Sequence, residues 1–419
     1  MPSIDLYRLR CHDHSTPFHP GYGSSPEVLA GRDDVRDALR RQLQSGESVH
    51  HAFYGPRGIG KTVLLTEFGQ WAAGKPRWHV IRHRMATDQQ ISLALVDRLA
   101  DPSHALTRRW DRLVESLRSN LTVRVSGPVA ITKSFDASKA AGPVDTLLER
   151  ALVRMGRDAA AQHTAVLLLL DEIHTPRPGS ELERLSNALQ AVKEQELPVH
   201  ALVAVLRPVD SGGTRGATFL ERLESTSLRF LAPAEARLAL VEPWARRGVA
   251  TEAAALDRLV VAADGYPYFI QLFGARTHDR WVHAGGAGAV TADHADHGIR
   301  AARDSVNALY QGRLDRLSPE SRAFVVTMAT VAGDQPARIS EIGKRLGRAV
   351  TALSPIRETL IERHQLIEPA GRGLLQFVLP WYGSWLTGSI DELPGAALRY
   401  QDDPAATTQS LDIGNELDL

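Results

Sequence analysis

Residues 53–65 read FYGPRGIGKTVLL, and inside them Gly55-Pro56-Arg57-Gly58-Ile59-Gly60-Lys61-Thr62 fits the phosphate-loop pattern G-x-x-x-x-G-K-[ST]. The flanks suit it. Ala52-Phe53-Tyr54 is a short apolar run that reads as a buried strand, and Val63-Leu64-Leu65 opens a helix. A glycine loop between a strand and a helix start presents its backbone N–H groups as an anion nest at the helix N-terminus. Gly58 and Gly60 allow close approach because no Cβ stands in the way. In that arrangement Lys61 reaches the β- and γ-phosphates of a nucleotide, and the Thr62 hydroxyl ligates Mg²⁺. Gly55 through Val63 are therefore the candidate cradle.

A second stretch gives the loop its partner. Ala165-Val-Leu-Leu-Leu-Leu170-Asp171-Glu172 is an apolar run that stops at two acids, as a central parallel strand does. Alone it is equally a core strand whose end meets solvent. Downstream of a phosphate loop it reads as the metal-binding strand, with Asp171 in the Mg²⁺ shell and Glu172 orienting the attacking water. Trp78-His-Val-Ile-Arg82 and Val199-His-Ala-Leu-Val-Ala-Val-Leu206 read as further strands, with helices between them. The fold class expected is an α/β P-loop NTPase with a parallel sheet. Residues 121–143 alternate with a period of two around Gly127-Pro128, which predicts an inserted β-hairpin.

The bulk composition excludes several classes. The chain has 419 residues, with 49 Lys plus Arg balancing 49 Asp plus Glu, so it is not polybasic as a whole. Its single cysteine, Cys11, forms no intrachain disulfide and no cysteine-based zinc site, which suits a reducing cytoplasm. No apolar run is long enough for a transmembrane helix, and the N-terminus lacks the pattern of a signal peptide. The 16 histidines show no metal-ligand spacing, and His294 and His297 read as surface positions.

The remaining chain is organised around the loop. Leu29-Ala-Gly-Arg-Asp33 precedes a helix over roughly 33–44, which Asp33 or Asp34 would cap. The helix carrying Arg222, the Ser227–Leu231 strand and Pro233 close the α/β part. Residues 234 to about 281 read as helices, with Asp264-Gly265-Tyr266-Pro267 opening one of them; residues 284–298 read as a loop and 299–314 as a helix. Ser318-Pro319 starts another helix, followed by a short helix over 339–346 and a third beginning between Thr351 and Pro355. Leu366–Glu368 and Leu374–Leu379 then form a hairpin around Gly371-Arg372-Gly373. That order is the order of a winged helix-turn-helix, in which Lys344, Arg345, Arg348, Arg357 and Arg372 are the candidate DNA phosphate contacts.

Taken together, the glycine loop, the Leu170-Asp171-Glu172 strand end, Gly265-Tyr266-Pro267 and the C-terminal order resemble the AAA+/STAND ATPases. The resemblance covers about residues 29–388. It implies an irregular lead-in at 1–28, an ATPase core at 29–232, an α-helical lid at 233–314 with Pro267 near the adenine, a winged helix at 315–388 and a disordered tail at 389–419. It implies ATP and Mg²⁺ as ligands. It also implies a finger arginine, first Arg222 and second Arg229, acting on a neighbouring subunit's nucleotide. The residue at the end of the 199–206 strand, where relatives carry a polar sensor, is Arg207. Three readings stay open: an ATP-driven switch acting on DNA or a protein client, a DNA-binding regulator that uses nucleotide as a lock, and a ring-forming loader or transposition-type helper.

Overall fold

The computed structural model describes residues 15–21, 25–85, 92, 95, 96, 99, 121–126, 130–135, 146–173, 180–205 and 223–388. Arg207, Arg222 and the 389–419 segment lie outside the described residues.

A parallel five-stranded sheet forms the first part. It contains β1 (His50–Tyr54), β2 (Trp78–Arg84), β5 (Ala165–Asp171), β6 (Val199–Ala204) and β7 (Glu224–Ser227), in the order β2-β5-β6-β1-β7. Between β2 and β5 in the chain, β3 (Leu121–Ser126) and β4 (Ala130–Phe135) pair antiparallel as the alternation predicts. The near-continuous apolar character of β5 and β6 follows from burial on both faces. Leu167 and Leu169 face α1 (Asp33–Gln44) and α2 (Lys61–Ala73), in one core with Leu39, Leu64 and Phe68. Leu168 and Leu170 face α3 (Leu147–Ala161) and α4 (Ser180–Glu194), in another core with Leu152, Leu185 and Leu189. α1 begins at Asp33 with Arg32 as its N-cap and no side-chain cap, so Asp33 and Asp34 serve as first-turn acids and not as caps.

The N-terminal ends of β1 and β6 bury a cluster of imidazoles. The Val49 N–H donates to His200 Nδ1 at 3.2 Å, His50 Nε2 lies 3.3 Å from the Val199 carbonyl, and His51 Nε2 lies 2.9 Å from Thr226 Oγ1. Burial, joined by Lys193, pushes His50 down to about 4; the Val199 carbonyl works against it. Burial and the neighbouring His50 push His200 down to about 4. Both rings are thus neutral in the fold but titrate near 6.5 once unfolded, so the unfolded chain binds more protons as pH drops. Their stabilisation is complete above pH 6.5 and is lost as pH falls towards 4. Unfolding free energy from urea titrations should fall by on the order of 2 kcal/mol per pH unit in that window. A His50→Asn, His200→Gln double variant should flatten the curve, and an equally steep curve in that variant would remove these rings as the cause.

The second part is helical: α5 (Pro233–Ala245), α6 (Ala253–Ala263), α7 (Pro267–His283), α8 (Ala292–Ala301) and α9 (Arg303–Leu314). The loop expected over 284–298 is in its second half helix α8. The Thr291 hydroxyl caps it by accepting the His294 N–H, and Ala295, Gly298 and Ile299 pack on α7. A Cβ on Gly298 would come within 2.6 Å of the Thr277 backbone, so the two helices touch at a point that only glycine permits. A short Ala/Gly/His/Asp stretch hides that periodicity, because its apolar face is made of small residues.

The last part has α10 (Pro319–Ala332), β8 (Ala337–Arg338), α11 (Ile339–Leu346), α12 (Ser354–Glu358), β9 (Ile367–Gly371), β10 (Leu374–Phe377) and α13 (Tyr382–Leu386). Ser318 caps α10 as expected, accepting the Ser321 N–H. The single third helix expected after Thr351 is instead a 3-10 turn (Val350–Leu353), α12, and a π turn (Thr359–His364). Thr359 Oγ1 donates back to the Pro355 carbonyl at 2.8 Å, a bond that competes with helix propagation. The hairpin gains a third strand, in the order β8-β10-β9.

One apolar core runs without a break from α5 through α9 into this last part. Tyr310 on α9 packs against Tyr382 and Trp385, and its hydroxyl donates to the Pro380 carbonyl. Trp381 Nε1 donates to the Ala262 carbonyl at 3.0 Å. The irregular residues before α1 join the same core: Phe18 is fully buried, edge-on to Trp244 at 4.7 Å.

Candidate nucleotide site

β1 ends at Tyr54 and β5 at Asp171, and β6 lies between them in the sheet. The loop after β1 and the acids ending β5 therefore flank one crevice at the C-terminal edge, where open parallel sheets bind ligands. A cavity of about 590 Å³ fills it, lined by residues 57–63, Asp171 and Glu172 on the sheet side.

The loop has the shape its glycines permit. Gly58 and Gly60 stand at φ +82° and +98°, and Gly60 is the N-cap of α2, so the helix begins at Lys61. Ile59 is buried among Phe53, Leu64 and Leu228, anchoring the loop from below. Lys61 Nζ donates to the Gly55 carbonyl at 2.6 Å and the Pro56 carbonyl at 2.8 Å. Burial pushes its ammonium down to about 8, with Arg57 adding to the shift and the Asp171 and Glu172 carboxylates opposing it. An anion entering the cavity would raise it again.

Thr62 Oγ1 donates to Asp171 Oδ2 at 2.8 Å. A hydroxyl and a carboxylate within bonding distance, beside the glycine loop, are the oxygen donors a hard divalent cation takes, so the residues present fit Mg²⁺. Glu172 follows at φ +56°, and its N–H donates to Asp171 Oδ1 at 2.9 Å. Its carboxylate pairs with Arg84 Nε at 3.0 Å. That contact is a product of register: Arg84 ends β2 directly beside Asp171.

The helical part closes the cavity from above. Pro267, the first residue of α7, lines it. The larger contact comes from Tyr266, whose hydroxyl donates to the Arg57 carbonyl at 3.0 Å. A Cβ on Gly58 would come within 2.2 Å of that hydroxyl, so the loop and the helical part meet at a point closed to any side chain. The residues before α1 form the far wall. His19, Pro20, Pro26 and Val28 line it; the His19 N–H donates to Gln271 Oε1 at 2.9 Å, and Arg247 holds Glu27. Arg32 also lines the cavity and donates to the Arg229 carbonyl at 2.6 Å. The Arg229 side chain itself is exposed.

Sequence reasoning brought together Gly55–Val63, Asp171, Glu172 and Pro267, and all of them but Gly55 and Pro56 line the one cavity. Those two accept the Lys61 ammonium instead. It overlooked Tyr266, although the Gly-Tyr-Pro turn pointed at it, and it overlooked Arg84 and the wall of His19, Pro20, Pro26 and Val28, which no motif marks. Of the basic residues further on, Lys344 and Arg345 end α11, Arg348 follows it and Arg372 tips the hairpin, all exposed; Arg357 on α12 is half-buried.

These features define a P-loop NTPase fold. Among solved structures the chain is similar to the Walker-type ATPase PABY2304 of Pyrococcus abyssi, at 14% identity and a TM-score of 0.55, over 87% of this chain and 97% of that one. It is also similar to the RuvB Holliday junction branch migration motor of Thermotoga maritima (16% identity, TM-score 0.43, 84% and 95%). The Orc1 protein of Aeropyrum pernix, in complex with DNA, gives 14%, 0.41, 88% and 95%. Residues 307–386 match a domain family described as a domain of unknown function (DUF8462). Among curated proteins, none matches the sequence. No helix among the described residues is long and apolar enough to cross a membrane.

Proposed function

We propose that this chain is a Mg²⁺-dependent, ATP-binding and ATP-hydrolysing switch of the AAA+/STAND type, working in the cytoplasm. The observation that carries the reading is the convergence of Lys61, Thr62, Asp171 and Glu172 on one cavity, with the Thr62 hydroxyl already on the Asp171 carboxylate. Gly55 through Val63 cradle the phosphates, Lys61 neutralises them, and Thr62 with Asp171 holds Mg²⁺. When bound, the metal offsets phosphate charge. Glu172 accepts a proton from the attacking water, and Pro267 and Val28 close on the base. The helical part acts as the lid and the last part as a winged helix, through which Lys344, Arg345, Arg348, Arg357 and Arg372 meet DNA phosphates or a protein client. Arg222 is the finger offered to a neighbouring copy in a homo-oligomer.

Lys61→Ala tests the reading. Fluorescent ATP analogues should bind it roughly 10- to 100-fold more weakly than wild type, since charge-assisted bonds of this kind are worth about 1.5–3 kcal/mol. Unchanged binding would refute the assignment of the loop.

One observation favours the reading in which nucleotide chiefly locks a conformation. The Arg84 guanidinium holds the Glu172 carboxylate at 3.0 Å, and an acid so paired is a poorer proton acceptor. On that reading wild-type turnover is low, and Arg84→Ala raises it several-fold, on the order of the 1 kcal/mol that a half-exposed pair supplies. An Arg84→Ala rate equal to wild type would dismiss the pairing as a brake.

A further inference from the structure

The edge of the sheet opposite the glycine loop holds a second cavity, of about 240 Å³. The turn from α1 into β1 walls it with Glu47, Ser48 and His50. α4 walls it with Ser186 and Lys193, an i, i+7 pair on one face of that helix. This cavity shares no lining residue with the nucleotide cavity. One strand joins the two: β1 starts at His50 here and ends at Tyr54, where the glycine loop begins. The volume is below the roughly 300–1,000 Å³ of sites for drug-sized molecules, so an occupant is small.

The fold leaves four polar groups of this cavity unmatched. Ser186 is 6% exposed, and its hydroxyl forms no hydrogen bond among the described residues. Inside a helix a serine ordinarily bonds back to the carbonyl four residues earlier or faces solvent. His50 is fixed in one tautomer: its Nε2 lies 3.3 Å from the Val199 carbonyl, which can only accept, so Nε2 carries the hydrogen. Nδ1 then keeps a lone pair, with no partner among the described residues. Lys193 and Glu47 are exposed, and neither forms an ion pair among the described residues. Lys193 stands close enough to His50 to oppose its protonation. Glu224, by contrast, is engaged: it accepts the Gln42 side-chain amide at 2.9 Å.

We propose that this cavity is a second ligand site, for a free α-amino acid. A small zwitterion matches the unmatched set at both of its ends. Its carboxylate takes the Lys193 ammonium and the Ser186 hydroxyl, and its ammonium takes the Glu47 carboxylate and the His50 Nδ1 lone pair. Bonds of this kind, with one partner ionised, are about twice as strong as neutral ones. A simple anion would meet Glu47 and the lone pair as repulsion. A simple amine would meet Lys193 in the same way, and a polyol would leave both charges without a counter-charge.

The site stands independently of the nucleotide reading. Full-length wild type, Lys193→Met, Glu47→Gln and Ser186→Ala are titrated calorimetrically with each common L-amino acid, and with acetate, ethylamine and glycerol. At least one amino acid should bind wild type with a Kd at or below the millimolar range, and acetate, ethylamine and glycerol should not. Lys193→Met and Glu47→Gln should each weaken that binding roughly 10-fold or more, and Ser186→Ala about 3- to 10-fold. Lys193 and Glu47 are exposed, so both variants should unfold at the wild-type urea midpoint, which separates lost binding from lost fold. A saturating non-hydrolysable ATP analogue with Mg²⁺ should leave the amino acid bound. The proposal is overturned if no amino acid binds, or if acetate, ethylamine or glycerol binds as well. It is equally overturned if the Lys193 and Glu47 variants bind like wild type, or if the nucleotide displaces the amino acid.

Discussion

Glu172→Gln is expected to lower ATP turnover by roughly 100-fold or more while ATP affinity changes by no more than about threefold, because a positioned general base contributes about 10²- to 10⁴-fold. The split follows from placement. Glu172 stands after β5 with a left-handed backbone, its N–H tied to Asp171 Oδ1, and its carboxylate belongs neither to the glycine loop nor to the Thr62–Asp171 pair. Glutamine keeps the shape and removes the capacity to take a proton. Steady-state phosphate release and fluorescent-nucleotide titration on the same preparation check both halves. A variant that hydrolyses ATP at the wild-type rate would take the base role away from Glu172. One that no longer binds ATP would make it part of the cradle.

Trp244→Ala is expected to cost about 3–5 kcal/mol of unfolding free energy, the range for emptying a buried aromatic site. Trp244 has no exposed surface, lies edge-on to Phe18 and donates its indole N–H to His278 Nδ1 at 3.1 Å. Leu238 lies on the same helix but is 53% exposed, so Leu238→Ala should stay within about 0.5 kcal/mol of wild type. Urea denaturation of the two variants measures the difference. Equal stabilities would contradict the packing described. The substitution should also weaken nucleotide binding, since Phe18 anchors the 15–21 stretch that walls the cavity through His19 and Pro20.

Much of this protein is visible without coordinates, for a physical reason. The loop from Gly55 to Thr62 and the run ending at Asp171-Glu172 are local: glycines where the backbone must turn, apolar residues where a strand is buried on both faces, acids where it emerges. The cap at Ser318-Pro319 and the alternation over 121–135 are local in the same way. The first part of helix α8 escaped because only small residues, Ala295 and Gly298, make its buried face ahead of Ile299. The segmented third helix of the last part escaped because the apolar spacing runs on unbroken through Pro355, which opens α12, and through the back-bonding Thr359, where the helix type changes.

What no local pattern holds is which distant residues share a space. Arg84 meets Glu172 because β2 pairs with β5 in one register, and Tyr266 meets Gly58 because α7 descends onto the loop. Phe18 reaches Trp244, and Arg313 shares a wall with Arg57, for the same kind of reason. The sequence by itself determined the phosphate loop, its acidic partner strand and the order of the parts, since each is written in neighbouring residues. The Tyr266 contact on Gly58, the far wall of the cavity and the arginines that line it were decided by tertiary packing alone, because they depend on distances that only the folded chain sets.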